Sequence, residues 1–294
     1  MATAIEFLKA ILIGIVQGIT EWLPISSTGH MILLNDLVHL NVSDAFWEMF
    51  EVVIQLGSIL AVVVLYFSRL WPFAMKKNIA GGDLLCGVGS VGIKRQTMVL
   101  WLHVLIAAVP AGVVGVLFND WFDAHFYNPV CVSLALVVYG VLFIVVERLH
   151  RGKTFRMNAV SDIGCGTALG IGAFQMLSLI PGTSRSGSTI LGASMLSVSR
   201  PAAAEFSFFL AVPVMLGASL LKGMKFAGKV ASGAEVFGSY EAMILAVGCV
   251  VAFVVSLAAI RFLMDFVKKH TFSAFGWYRI ALGLLVLVWF FLIR

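Results

Sequence analysis

The chain has 294 residues, 61% of them hydrophobic and only 12% charged, with a mean hydropathy of +1.01. Those values exclude a water-soluble globular domain and describe a protein that crosses a bilayer several times. The net charge of +5 does not argue for nucleic acid, because the basic residues sit in short loops between apolar runs instead of along one helix face.

The first apolar region, about 3 to 34, is interrupted by Gln17-Gly-Ile-Thr-Glu21-Trp-Leu-Pro-Ile-Ser-Ser-Thr-Gly-His30. Its opening run, Ala10 to Ile19, looks like a signal-peptide core but leads into Gln17 and Glu21 instead of a small-residue cleavage site, and is expected to be retained. An ionised carboxylate near the bilayer centre costs roughly 2.5 to 3.5 kcal/mol, so Glu21 marks a site. Six spans of crossing length follow, at roughly 47–67, 98–118, 129–147, 202–221, 241–264 and 275–293. A second interrupted region, about 162 to 196, carries Pro181-Gly-Thr-Ser-Arg-Ser-Gly-Ser-Thr189. Each half of the two interrupted regions is too short to cross. Both are therefore expected to be re-entrant helical hairpins with tips buried in protein.

The stretch from Lys76 to Gln96, with Gly81, Gly82, Gly87, Gly89 and Gly92, reads as a flexible or interfacial loop. Cys86, Cys131, Cys165 and Cys249 lack zinc-site or disulfide spacing and read as small packing residues. The fold class is thus an all-α integral membrane protein of one polytopic domain, 1–294.

An internal repeat is visible. Gly14-Ile-Val-Gln17 through Pro24 to Gly29, then Glu51 heading a span, is echoed by Gly170-Ile-Gly-Ala through Pro181 to Gly187, then Glu205 heading another. Repeat 1 covers about 1–147 and repeat 2 about 160–294. Three spans separate the hairpins, so the second copy is expected upside down, with the tips meeting near the midplane. Most Lys and Arg residues, including Arg69, Lys94, Arg148 and Lys268, fall on one side of this plan, which is expected to be cytoplasmic. Lys9, Lys222, Lys225, Lys229 and Arg294 fall on the other, and the Lys222 to Lys229 cluster fits that assignment least well.

Gln17 and Glu21 are one helical turn apart, as are Ser27 and His30 beyond the break at Pro24. A hydroxyl, an imidazole and a carboxylate make the layout of an activated nucleophile. Ser27 would attack, His30 would accept its proton, and Glu21 would orient His30 or hold a metal; His30 or a metal-bound water as attacking group remains open, and Ser26 or Ser27 also suits a helix cap. Arg185 suits phosphate oxygens, with Gly182, Ser184, Ser186 and Thr189 adding small side chains, hydroxyls and N–H groups; the plainer alternative is an ion pair with Glu21 or Glu51. Glu51, with Gln55 a turn on, is a further candidate for the site.

These residues, with the run from Phe50 through Glu51 and Gln55 to Val64 and with Glu205-Phe-Ser-Phe, resemble the undecaprenyl-diphosphate phosphatases of the bacitracin-resistance type. At the first motif position the chain has Gln17 where many relatives carry Glu. The resemblance implies a bacterial inner-membrane hydrolase that recycles the lipid carrier of cell-wall synthesis, with its site facing outward. It points to Glu21, Ser27, His30 and Arg185 as catalytic, and to Gln17, Ser26, Thr28, Gly182, Ser184, Ser186 and Thr189 as substrate-binding. It also implies a divalent cation, magnesium or calcium, for which Glu21 and Glu51 are the candidate ligands. Pairing of two copies of the chain is left open. The alternative is a prenyl-phosphate lipid transporter, since inverted repeats with broken helices are a transporter layout.

Overall fold

The computed structural model describes residues 2–80, 82–126 and 128–293. Gly81 and Arg294, counted above as a loop glycine and a topology charge, lie outside the described residues. The order begins with α1 (Ala2–Thr20) and α2 (Ser27–Leu37), then α3 (Asp44–Val53) and α4 (Gln55–Leu65), which form one span with an irregular turn at Ile54. After a short α5 (Phe67–Leu70) come α6 (Arg95–Phe126) and α7 (Pro129–Leu149). The second half runs α8 (Cys165–Met176), α9 (Arg185–Met195), α10 (Arg200–Ala231), α11 (Ser239–Lys269) and α12 (Ser273–Val288). Six of these helical segments are long and apolar enough to cross a membrane, and they are the six read from the sequence.

The two interrupted regions are broken helices, α1–α2 and α8–α9. Three of the four arms have 11, 12 and 11 residues, too short to cross. The fourth differs from expectation: α1 has 19 residues, about 28 Å at 1.5 Å per residue and so close to a full crossing.

A second difference lies between Trp71 and Arg95, where the chain forms a three-stranded antiparallel sheet instead of a featureless loop. Its strands are β1 (Phe73–Met75), β2 (Leu84–Val88) and β3 (Val91–Lys94), in the order β1-β3-β2. The glycines that suggested flexibility are what let the strands close: Gly89 takes φ +59 in the turn, and a Cβ on Gly92 would lie 2.6 Å from Leu84 Cδ1. The cysteines divide. Cys249 is partly buried, its thiol 3.7 Å from the Val53 carbonyl, whereas Cys86 and Cys165 are exposed and do not pack.

Helix packing follows the repeat. Exchanging α1 with α8, α2 with α9, α3–α4 with α10, α6 with α11 and α7 with α12 maps the main pairings onto one another. Thus α1 packs on α11 as α8 packs on α6, α4 on α11 as α10 on α6, α2 on α12 as α9 on α7, while α7 faces α12 and α4 faces α10. The register corrects the one read from the sequence: Gly172, not Gly170, is the counterpart of Gly14. Both lie twelve residues before a serine held at positive φ, Ser26 and Ser184. Both also occupy a close helix crossing, where an added Cβ would meet Gly248 O at 2.9 Å and Ala107 O at 2.4 Å respectively.

Candidate active site where the two broken helices meet

The breaks are built alike. Ser26 (φ 73) and Ser184 (φ 72) adopt a left-handed conformation that costs an L-residue about 1–2 kcal/mol. Each then caps the helix after it, Ser26 accepting from Gly29 N at 3.3 Å and Ser184 from Gly187 N at 3.1 Å. The strain is offset by the capped helix start, and the next residue in each loop, Ser27 in one and Arg185 in the other, reaches Glu21, Ser27 from within its own hairpin and Arg185 from the opposite one. Ser27 and Arg185 therefore hold equivalent positions in the two repeats.

Between them lies Glu21. Its Oε1 accepts from Arg185 Nη2 at 2.9 Å, and its Oε2 accepts from Gln17 Nε2 at 2.9 Å and from Ser27 Oγ at 3.2 Å. Glu21 is 6% exposed, so the pair with Arg185 forms out of bulk water, where an uncompensated charge would be expensive. Arg185 also donates to the Ser207 carbonyl at 2.8 Å and lies 5.7 Å from the Trp22 ring, which is fully buried and packs edge-on against Phe208. Trp22 is thus the floor of the site and not an interfacial anchor, a role that suits the half-exposed Trp71, Trp121 and Trp277. Among buried donors without a protein acceptor are Arg185 Nε and Trp22 Nε1, which leaves hydrogen-bonding capacity for an anion.

The expected contact between Ser27 and His30 is not the one formed. His30 Nδ1 lies 2.7 Å from the Ser26 carbonyl, and Nε2 lies 2.7 Å from the Tyr278 hydroxyl, whose ring stacks on the imidazole. A carbonyl can only accept, so Nδ1 carries the proton and Nε2 is the acceptor, with Tyr278 donating to it. Ser27 instead donates to the Glu21 carboxylate six residues before it, because the turn at Ser26 folds Ser27 back toward the end of α1 and His30 toward α12. Glu21 therefore orients Ser27 and not His30.

The remaining predicted residues divide between the site and its frame. Ser186 is buried and donates to the Glu21 carbonyl at 3.1 Å, while Thr189 is buried against Ser207 Oγ at 2.7 Å, so both hydroxyls are engaged within the protein. Gly182 (φ +96) sits where a Cβ would meet the Val132 carbonyl at 2.5 Å, a position only glycine fills. Thr28 and Ser184 are partly exposed. Glu51 is half-buried on α3, its carbonyl accepting from Gln55 Nε2 at 3.3 Å. Glu205 is paired with Arg69.

Two residues of the site were not singled out from the sequence. One is Tyr278. The other is Arg279, fully buried, which donates to the carbonyls of Pro24 at 3.1 Å, Gly182 at 2.7 Å and Thr183 at 2.8 Å. One guanidinium thus ties the two loops together. Its signal was present, since a cation inside an apolar span is a functional residue by default.

Among the described residues no group of three His, Cys, Asp or Glu side chains could hold a metal ion. Glu21 is surrounded by donors, so the protein alone does not build a cation cage. One carboxylate beside an anion site does suit magnesium, which is commonly held by one or two carboxylates with substrate phosphates supplying further ligands.

Comparison with known proteins decides the family. The profile described as "Bacitracin resistance protein BacA" matches residues 10–285. The chain belongs to the BacA family. Relatives in that family include an "Undecaprenyl-diphosphatase" of Enterococcus faecalis, 53% identical over 284 residues, covering 97% of each chain. Another, from Acetivibrio thermocellus, is 51% identical over 290 residues, 99% of this chain and all of its own. The "Undecaprenyl-diphosphatase 1" of Clostridioides difficile is 52% identical over 289 residues, 98% of each. These matches run nearly end to end, so the similarity covers both hairpins and all six spans of this BacA-family chain.

Proposed function

We propose that this chain hydrolyses undecaprenyl diphosphate to undecaprenyl phosphate and inorganic phosphate, the activity for which its relatives are named. The observation that carries the reading is the Glu21 carboxylate held between the Ser27 hydroxyl of one loop and the Arg185 guanidinium of the other.

The diphosphate competes with Glu21 for Arg185, and planar bidentate capture favours the phosphate oxygens. Glu21, freed of its cation, becomes a better proton acceptor for the hydroxyl already bonded to it. Ser27 Oγ then forms a bond to the terminal phosphorus as the bond to the bridging oxygen breaks, and that oxygen leaves on the lipid monophosphate. Water releases phosphate from Ser27 in a second displacement, with His30 as the second acid–base group. Arg185 stabilises charge on the equatorial oxygens in both steps. A divalent cation, magnesium or calcium, would arrive with the substrate, take its ligands mainly from the phosphate oxygens and neutralise phosphoryl charge, leaving Glu21 free to accept the proton. We place the protein in the bacterial inner membrane, with the site facing outward and the second repeat inverted. The loop-side charge distribution and the odd number of spans between the hairpins support that placement.

The test is phosphate release from a long-chain prenyl diphosphate by purified protein. Ser27→Ala and Arg185→Ala are each expected to lower kcat by about a thousandfold or more, and chelator to abolish release by the wild type. A phosphoenzyme carrying its label on His30 would overturn the assignment of Ser27. Wild type that binds the lipid and releases no phosphate would favour the transporter.

A further inference from the structure

Lys222, Lys225 and Lys229 are the basic residues that the charge-based topology accommodates least, and the structure gives them a setting. Spaced by three and four, they share one face of the last turns of α10. With Ala45, Glu48 and Met49 of α3 they line a cleft of about 370 Å³. Three ammonium groups against one carboxylate make the cleft attractive to an anion.

Its location relates it to the site. Lys9 Nζ donates to the His39 carbonyl at 2.7 Å, Glu6 accepts from Asn41 N at 2.9 Å, and Ser43 Oγ donates to Glu235 at 2.7 Å. The start of α1, the end of α2, the start of α3 and the end of α10 therefore gather at one end of the molecule, the end from which the first hairpin enters. Further along the seam between α3 and α10, Ser219 Oγ donates to the Val52 carbonyl at 3.1 Å, and deeper still Met215 Sδ lies 3.5 Å from Arg185 Nη2. Met215, Lys222 and Lys229 are seven residues apart and so nearly aligned, each step about 10 Å along the helix. Leu220, Leu221 and Met224, exposed beside them, offer apolar surface to a lipid tail.

We propose that Lys222 and Lys229 form a capture site for the diphosphate headgroup of the lipid substrate, which engages them before it passes along α10 to Arg185. The proposal rests on the phosphatase reading. It also accounts for basic residues on the expected outer face: they serve a ligand and not topology. A cleft with an excess of one sign of charge concentrates its counter-ion and raises the encounter rate in a salt-dependent way.

The experiment uses full-length protein in detergent and in pure phosphatidylcholine vesicles, with K222Q/K229Q, K222R/K229R and wild type. For release from a long-chain prenyl diphosphate, K222Q/K229Q is expected to raise KM about tenfold, keep kcat within about twofold and flatten the fall of kcat/KM with salt. K222R/K229R is expected to restore the wild-type values. An unchanged KM in K222Q/K229Q overturns the proposal. So does a defect that appears only when phosphatidylglycerol is added, since the lysines then bind bulk phospholipid. Equilibrium binding of a non-hydrolysable, methylene-bridged prenyl diphosphonate separates the two readings. Affinity about tenfold weaker in K222Q/K229Q supports capture even if wild type releases no phosphate, and equal affinity overturns it whatever the turnover.

Discussion

Arg279 is a buried cation whose hydrogen bonds all run to backbone carbonyls, and its guanidinium carbon lies 5.3 Å from the Tyr139 ring. Its partners are one carbonyl of the first loop and two of the second, so it holds the two loops, and with them Ser27 and Arg185, in register. Arg279→Met leaves three carbonyls unpaired, each worth roughly 1–3 kcal/mol when buried. Thermal melting in detergent should fall together with phosphate release. Arg279→Lys keeps the charge, yet one ammonium does not reproduce a planar fork, and release is expected to drop about tenfold or more. Full activity in Arg279→Lys would show that charge alone suffices. Glu21, Ser27 and Arg185 were legible as single residues because each stands out from apolar surroundings. Arg279 carried the signal of a cation in an apolar span, but its place near the span start reads equally well as an interfacial anchor, and Tyr278 has no charge to set it apart. The partner of Ser27 was also misread, since helical spacing ranks neighbours along one continuous helix, and the turn at Ser26 folds Ser27 back on Glu21 across the break.

At the scale of elements, the two broken helices depend on serine caps in a left-handed conformation. Ser184→Gly keeps the backbone easy and loses the hydroxyl; Ser184→Ala loses the hydroxyl and keeps the strain. Alanine should therefore cost about 0.5–2 kcal/mol in stability and glycine only a few tenths, as measured by denaturation in detergent; equal losses would mean that the cap carries the whole effect. The helix crossings are as specific. In Gly172→Val the new Cβ would lie 2.4 Å from the Ala107 carbonyl, so α6 and α8 must separate. A loss of about 1–3 kcal/mol is expected, the usual range for overpacking. Spans and hairpins were legible because their length and apolar content are set by the bilayer. The sheet of β1, β2 and β3 was not, because it is short, exposed and glycine-rich, and therefore shows no alternation to read.

Across the whole molecule the repeat organises packing while the chemistry departs from it. Gln17 and Gln175, Gly14 and Gly172, and Ser26 and Ser184 are matched pairs, and both glutamines are buried. Glu21 has no match: the corresponding position is Leu179. The position of Ser27 is taken by Arg185 and that of His30 by Ser188. The sequence reveals the common part, because it is repeated; the contact of Arg185 with Glu21 joins residues that are not repeated and lie 164 positions apart. The equivalence of Ser27 and Arg185 sets what each half can supply alone. Two copies of the first half, associated with each other, would bring together hydroxyls and carboxylates with no guanidinium. Two copies of the second would bring together guanidiniums with no carboxylate. Neither self-association brings the hydroxyl, the carboxylate and the guanidinium together, so the proposed chemistry requires one copy of each half. Separately expressed halves, cut in the connection after α7, should regain phosphate release only when both are supplied to the same membrane.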